Sequence, residues 1–186
     1  MEFTEILFIV LIFIWVLERF VYVETAQPRK EDTGKAFLIK GLLPTMLLCA
    51  ILASSLLNTI TDETTVMARF AGLVFLTQGL LIRYWTYFLT KPYFSRKIVA
   101  INNRPLFSHG PFRFTRHPFH TGFFFIALGI CLFISSHWIS ILVTFLFVGS
   151  ALHYRMSLEE SVYAEKYGDI YTYWCRHRCR LVPFIY

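Results

Sequence analysis

Charge is scarce in this sequence. Only 16% of its 186 residues are charged, whereas a soluble domain carries about a quarter. Long apolar runs alternate with short polar stretches, and the mean hydropathy is +0.53. These features exclude an ordinary soluble domain and predict an all-α integral membrane bundle that occupies residues 1–186 as a single domain.

Cysteine is also scarce, and the four cysteines show no disulfide framework. Cys49 and Cys131 fall inside apolar runs, where free cysteine behaves as a small hydrophobic residue. Cys175 and Cys179 flank His177, but a structural zinc site needs about four ligands. Neighbouring cations would also repel the metal, namely Arg176, Arg178 and Arg180. No metal site is predicted.

Signs of a cleavable leader are few as well. The first 23 residues carry Glu2 and Glu5 in place of a basic leader and have no small-residue cleavage site, so we expect them to remain as a helix. Because about 20 apolar residues cross a bilayer, the sequence predicts about five spans, at residues 3–23, 37–60, 66–89, 119–135 and 138–154.

The last two of these spans are joined only by Ser135-Ser136-His137. So short a connection predicts a helical hairpin whose two helices are antiparallel neighbours. After it, residues 157–174 keep helical spacing without being apolar enough to span. They are expected to form a cytosolic helix that extends the fifth span and breaks near Gly168.

Basic residues are spread unevenly along the chain. Residues 1–90 hold seven Lys or Arg and eight Asp or Glu, while residues 91–186 hold eleven and four. The loops after the first and third spans and the tail after the fifth are basic, and the other two loops are not. The positive-inside rule therefore predicts an N terminus outside and a C terminus in the cytosol. The cations concerned are Arg29, Lys30, Lys35, Lys91, Arg96, Lys97, Arg104, Arg113, Arg116, Arg155, Lys166, Arg176, Arg178 and Arg180.

In this context a basic face indicates membrane lipids and anionic ligands as partners, and no nucleic acid.

One polar constellation precedes the fourth span and reads Gly110-Pro-Phe-Arg-Phe-Thr-Arg-His-Pro-Phe-His-Thr-Gly122. Pro118 suits the first turn of a helix, so Arg116 and His117 would lie at a helix N terminus, which attracts anions. Together with Arg113 they predict a pocket for a carboxylate or phosphate. The alternative is that these residues are ordinary cationic anchors at the membrane face.

A second constellation, Arg155-Met-Ser-Leu-Glu-Glu160, follows the fifth span. Arg155 and Glu159 are four residues apart and share a helix face, while Glu160 points about 100° away. The alternative is a solvated helix end with one ion pair. Because the hairpin brings both constellations to one membrane face, a cationic corner beside paired acids is predicted to hold a zwitterion, such as the amino-acid end of a cofactor.

These motifs resemble the isoprenylcysteine carboxyl methyltransferase family, which includes related phospholipid and small prokaryotic membrane methyltransferases. The resemblance covers about residues 85–186. It rests on the ordered set Ser95, Leu106, Gly110-Pro-Phe-Arg, Arg116-His117-Pro118, Gly122, Glu159-Glu160, Tyr167-Gly168-Asp169, Tyr171 and Val182-Pro183-Phe184-Ile185.

The resemblance implies a membrane enzyme that uses S-adenosylmethionine, with three spans in residues 1–90 and the catalytic, cofactor-binding half in 91–186. Arg116 and His117, in the segment that includes Pro118, would contact the carboxylate end of the cofactor. Glu159 or Glu160 would hold its ammonium. Close approach of the backbone is expected at Gly110 and Gly122. The chain departs from the family at His120, where such proteins commonly have tyrosine.

Two kinds of methyl acceptor remain open at this point. A carboxylate, as in a prenylcysteine-like substrate, needs only a cation to hold it, for which Arg83, Arg113 and Arg155 are the candidates. An amine or thiol must lose a proton, for which Glu160 or His120 would be the base. The lipophilic part is expected to enter from the bilayer, along phenylalanines that include Phe119 and Phe123.

Two other functions compete with methyl transfer. Membrane sterol reductases that use NADPH share an Arg-His-Pro motif and an ending like that of this chain, but Glu159-Glu160 and the shortness of the chain argue against this class. A non-catalytic, lipid-binding membrane protein would use its arginines only to meet headgroups.

Overall fold

The computed structural model of the protein describes residues 2–23, 33–60, 65–94 and 105–181, with side chains for all of these except 33–40. The predictions that fall on Arg29, Lys30, Ser95, Arg96, Lys97, Arg104 and residues 182–185 lie outside these ranges, and the side chain of Lys35 is among those left out. Within these ranges the chain forms seven α-helices: α1 (Phe3–Val21), α2 (Thr33–Ile60), α3 (Val66–Thr90), α4 (Pro118–Ser135), α5 (Ser140–Thr144), α6 (Ser150–Tyr167) and α7 (Asp169–Arg176). The described residues form no β-strand, which confirms the all-α class.

Four of the described segments are long and apolar enough to cross a membrane: Gly41–Ile60, Val66–Tyr93, Pro118–Ser135 and Ser140–Tyr167. They confirm an integral membrane bundle. The sequence predicts about five spans, and the difference is α1. This helix carries Glu5, Glu18 and Arg19 within its 19 residues, so by composition it does not join the four, and its crossing of the membrane stays a prediction.

The predicted hairpin is present. α4 ends at Ser136, which adopts a left-handed conformation with φ of 55°, and a short turn leads into α5. A π-helical turn at Phe145–Gly149 joins α5 to α6, so the fifth span runs unbroken from Ser140 to Tyr167, longer than the sequence predicts. Its extension stops where expected, at Gly168, whose φ of 54° suits glycine.

Two pairs of glycines bring α3 and α4 into close contact. A Cβ atom added at Gly79 would lie 2.6 Å from the carbonyl oxygen of Gly122, and one added at Gly129 would lie 2.6 Å from that of Gly72. On each helix the two glycines are seven residues apart, which is about two helical turns. The backbones can therefore approach as closely as small residues allow in membrane bundles.

The two ends of this antiparallel pair are identified by their contacts. At one end, the amide of Thr65 before α3 donates to the carbonyl of Ser136 in the hairpin turn at 2.9 Å. At the other end, Arg83 of α3 donates to the carbonyl of Phe119 in the first turn of α4 at 3.2 Å. The start of α4 and the end of the fifth span thus share one end of the bundle.

A buried ion pair attaches α1 to α3. The guanidinium of Arg83 makes a double contact with the carboxylate of Glu18, through Nη2 to Oε1 and through Nε to Oε2 at 2.7 Å. Both residues are buried, at 7% and 6% exposed. Nearby, the rings of Tyr22 and Tyr87 stack at 4.0 Å. The end of α1 is therefore fixed against the end of α3 that faces the start of α4.

Gly129→Ala is expected to destabilise the bundle by about 1–3 kcal/mol, because its Cβ meets backbone atoms of Gly72 and Leu76 that cannot move aside without separating the helices. Thermal unfolding in detergent measures the change. Gly41→Ala is the matched control, since nothing lies within 4 Å of that added Cβ, and it should be neutral or stabilising by about 0.4–1 kcal/mol. Equal melting of both variants would contradict a close α3–α4 contact.

Glu18→Ala is expected to cost about 3–5 kcal/mol, because it leaves the buried charge of Arg83 without a partner. The double variant Glu18→Leu/Arg83→Leu should recover most of this loss, because no buried charge remains. Unfolding of the two variants in the same detergent checks the ion pair. If the double variant were as unstable as Glu18→Ala, pairing of charges would not be the reason.

Candidate active site

The segment before α4 is held in place by the chain that follows α7. The amide of Arg116 donates to the carbonyl of Cys179 at 2.9 Å, and that of Cys179 donates to Phe114 at 3.1 Å. The hydroxyl of Thr121 donates to the carbonyl of Leu181 at 2.6 Å. These bonds satisfy polar backbone groups at the start of α4 and fix the position of Arg116 and His117.

His117 is the N-cap residue of α4, and it lies between both glutamates of the second constellation. Its Nε2 is 3.0 Å from Oε1 of Glu160, and its Nδ1 is 3.4 Å from Oε2 of Glu159. The ring is only 6% exposed. Both ring nitrogens therefore face a carboxylate, an arrangement that suits the protonated imidazolium.

Burial lowers the pKa of His117, but its contacts with Glu159 and Glu160 raise it by more, so the pKa of His117 stands above its ordinary value. Proximity to the carboxylates thus outweighs the desolvation of the charge.

His120 and Arg155 complete the surroundings of Glu159. The Nε2 atom of His120 is 3.0 Å from both carboxylate oxygens of Glu159, and Nε of Arg155 is 3.1 Å from its Oε1. The rings of His117 and His120 stack with centroids 5.7 Å apart. The predicted pairing of Arg155 with Glu159 is present, and it is one part of a larger network.

Glu160 is surrounded by a different set of cations. Its Oε1 is 3.1 Å from Nη1 of Arg116, and its Oε2 is 3.2 Å from Nη2 of Arg180. Arg116 also donates through Nε to the carbonyl of Arg178 at 3.1 Å. We call the whole group the charged cluster: Arg116, His117, His120, Arg155, Glu159, Glu160 and Arg180.

Three members of the charged cluster have the spacing of metal ligands. One ligand atom each of His117, His120 and Glu159 lie within 4.8 Å of one another. The cations around them argue for ion pairing instead, because Arg155 already contacts Glu159 and the contacts of His117 with both glutamates raise its pKa and so favour the protonated ring. We assign no metal to this group.

A cavity of about 870 Å³ opens beside the charged cluster, near the upper end of the range for small-molecule sites. At one end its wall includes Arg116, His117, His120, Arg155 and Glu159. The same end carries aromatic side chains from α6 and α7, namely Tyr163, Tyr167, Tyr171 and Trp174.

The other end of the cavity is mainly apolar. Trp15 and Val16 of α1 and Leu43, Pro44 and Leu47 of α2 line it, and Arg19 of α1 is also on the cavity wall. The Arg83–Glu18 pair and the rings of Phe119 and Phe123 also line the cavity. One continuous space therefore joins a charged end to an apolar end.

The structure does not bring all of the predicted site residues to this cavity. Arg113 is exposed, and neither it nor Gly110 is on the cavity wall. Gly122 packs against Gly79 and Arg83 of α3, so its lack of a side chain serves helix contact. Glu160 is not on the cavity wall, but it contacts two residues that are, His117 and Arg116.

Arg83 does reach the cavity wall, but its guanidinium is engaged by Glu18, by the carbonyl of Phe119 and by the Phe119 ring, 3.8 Å from its Cζ.

Some residues of the site are not apparent from the sequence pattern. Glu18 and Trp15 lie in an apolar run of α1, and Arg180 lies in the basic Cys-Arg-His-Arg-Cys-Arg stretch, which does not distinguish one arginine from another. The aromatic run of α6 and α7 is visible, but its spacing alone is typical of an interfacial helix. Only the contacts of these residues identify them.

An all-α membrane bundle with a charged cluster and an amphipathic cavity at one end defines an integral membrane protein with a ligand site at its face. Comparison of the sequence with known families identifies the family to which this membrane protein belongs. The profile of the isoprenylcysteine carboxyl methyltransferase family matches residues 71–165, about half of the chain. The chain belongs to this family, and the family makes it a membrane methyltransferase. The comparison with curated proteins finds no match.

The matched region runs from α3 through most of α6. It includes the glycine contact between α3 and α4 and six of the seven residues of the charged cluster, all but Arg180. The segment after α7 that fixes the start of α4 lies beyond the match, and so do α1 and α2, which supply the apolar end of the cavity. The family match therefore covers most of the charged end of the cavity.

The unliganded protein is expected to lose stability as the pH rises. Because the folded pKa of His117 is raised, its protonated form contributes stability that is fully present below the ordinary value near 6.5. That contribution is lost as the pH rises through the raised folded pKa. The melting temperature measured at several pH values above 6.5 should fall more for the wild type than for His117→Gln. Parallel curves would contradict a protonated His117.

Proposed function

We propose that this methyltransferase uses S-adenosylmethionine and methylates a lipophilic acceptor that enters the cavity from the bilayer. The observation that carries the proposal is the single cavity with a charged end and an apolar end. A cofactor with an amino-acid group needs charged surroundings, and a water-insoluble acceptor needs apolar ones. Both must lie in one space for the methyl group to pass between them. A prenylcysteine-like carboxylate is the first acceptor to test, because the family takes its name from that reaction.

The residues at the charged end fit an amino-acid group. Arg116 and His117 supply cations for a carboxylate, and Glu159 supplies the carboxylate of the cavity wall for an ammonium. The contact of 3.4 Å between His117 Nδ1 and Glu159 Oε2 is longer than the contact of 3.0 Å between His117 Nε2 and Glu160 Oε1, so an incoming ammonium would displace it more easily. His117 would keep its shorter contact with Glu160.

The aromatic side chains beside the charged cluster fit a nucleoside. Tyr171 and Trp174 stack with centroids 5.8 Å apart and both line the cavity. Flat rings offer stacking surface to a purine. Adenosine and the amino-acid group of one molecule would then occupy adjacent parts of the charged end.

The chemistry required of the protein is positioning. S-adenosylmethionine supplies a methyl group that its sulfonium already activates. The tasks that remain for the chain are to align the acceptor with that methyl group and to exclude water. Arg155, on the wall beside Glu159, is the cation that would hold a carboxylate acceptor, and Phe119 and Phe123 would line its lipophilic part.

The orientation in the membrane forms part of the proposal. Among the described residues, the end of the bundle with the charged cluster also carries Arg113, Lys166, Arg176 and Arg178, whereas Arg69 is the cation near the opposite end. The positive-inside rule then puts the charged cluster and the C terminus in the cytosol and the N terminus outside.

Glu159→Gln is expected to weaken binding of S-adenosylmethionine about tenfold to hundredfold, because it removes a charged acceptor of the ammonium. Calorimetry on the purified protein in detergent measures the affinity for S-adenosylmethionine. Transfer of its labelled methyl group to a farnesylated cysteine measures the activity. Glu165→Gln, which removes an exposed carboxylate from the same helix, is the matched control and should bind like the wild type.

The same titration with NADPH separates methyl transfer from reduction. Binding of NADPH in place of S-adenosylmethionine by the wild type would overturn the proposed function. Binding of neither would favour a non-catalytic membrane protein.

A further inference from the structure

His120 has surroundings that resemble those of a catalytic histidine. It is 8% exposed, lies in the first turn of α4 and is on the cavity wall. Its Nε2 is 3.0 Å from each oxygen of Glu159. A carboxylate on one ring nitrogen fixes the orientation and the tautomer of a histidine.

The second ring nitrogen of His120 is the one that matters for chemistry. When Nε2 carries the hydrogen and donates it to Glu159, Nδ1 holds the lone pair. Among the described residues no hydrogen bond is made to Nδ1 of His120. The neighbouring His117 differs, because both of its nitrogens face carboxylates. Of the two histidines, His120 is therefore the one with a nitrogen that can accept a proton.

The geometry points to His120 as the general base of the methyl transfer, positioned by Glu159, and hence to an acceptor that carries a proton on the atom to be methylated. This inference rests on the proposed function and deepens it by naming the acceptor class, a hydroxyl or thiol on a long apolar group. A carboxylate acceptor is already ionised at neutral pH and has no use for such a base.

The proton and the electrons balance in this step. A bond forms between the oxygen or sulfur of the acceptor and the methyl carbon, while the bond from that carbon to the sulfonium breaks and its electron pair stays on that sulfur. The proton of the acceptor moves to Nδ1 of His120, and Glu159 stabilises the imidazolium that results. His120 afterwards returns the proton to water.

Charged groups from several elements face His120 and would shape its titration. Glu159 and Arg155 approach it from α6, and His117 stacks on it from the segment before α4. The Arg83–Glu18 pair of α3 and α1 lines the same cavity, and the guanidinium of Arg83 lies over the ring of Phe119.

The test compares two acceptors of similar shape and different acidity. One is 4-nonylphenol, whose hydroxyl keeps its proton at neutral pH, and the other is its 2-nitro analogue, which is ionised at mildly alkaline pH. N-acetyl-S-farnesylcysteine serves as the carboxylate acceptor. His120→Gln keeps an N–H for Glu159 but offers no nitrogen that accepts a proton, and His120→Tyr keeps a flat ring with a hydroxyl donor and likewise has no such nitrogen. His137→Gln, at the opposite end of the hairpin, is the matched control.

With the full chain in detergent, both His120 variants should methylate nonylphenol about 10²- to 10⁴-fold more slowly than the wild type. They should methylate the nitro analogue within about tenfold of it and keep their affinity for S-adenosylmethionine within about threefold. The wild-type rate with nonylphenol should fall toward acid pH and level off once Nδ1 of His120 is unprotonated, whereas the rate of the His120 variants should keep rising with pH as the phenol itself ionises.

Three results would overturn the inference: equal losses with both phenols, no loss with either, or methylation by the wild type of the farnesylated cysteine alone. In each of these cases the wild type still transfers a methyl group, so the proposed function stands. If instead the wild type does not bind S-adenosylmethionine, the proposed function fails first and the inference fails with it.

Discussion

The contact of His117 with Glu159 and Glu160 is the interaction on which the site depends. It joins the start of α4 to the C-terminal half of α6 through one buried ring. Removing either carboxylate would leave the buried imidazolium with only one negatively charged partner. Removing the histidine would leave two carboxylates side by side without the cation between them. Surrounding arginines then divide between the glutamates, with Arg155 on one and Arg116 and Arg180 on the other.

This contact requires two helix ends to lie together, and the bundle ensures that in two ways. The short turn after α4 makes the fifth span its antiparallel neighbour. The glycine pairs between α3 and α4 then fix how α4 is rotated about its own axis, because only one face of each helix permits so close an approach. With that rotation set, Arg83 lies beside Phe119, and His117 and His120 lie toward α6.

The cavity is amphipathic because different parts of the chain build its two ends. The charged end comes from α4, α6 and α7 with the loop before α4. The apolar end comes from α1 and α2, and the Arg83–Glu18 pair lies on the wall of the same space while it fixes α1 in place. Family membership rests on residues 71–165 and includes most of the charged end. The acceptor would meet Phe119, Phe123 and Arg155 inside that range and also the apolar side chains of α1 and α2 outside it, where proteins of one family can diverge.

The sequence by itself determined the class of fold, the hairpin, the helix break at Gly168 and the meeting of the two polar constellations. Those features follow from hydropathy, from chain length and from local residue preferences. The pairing of Arg83 with Glu18, the packing role of Gly122 and the division of cations between Glu159 and Glu160 were decided only by the tertiary structure. Residues 65 or 44 positions apart come together in these pairs, and which partners meet depends on how the helices are rotated against one another. That rotation is a property of packed surfaces, and no local pattern in the chain encodes it.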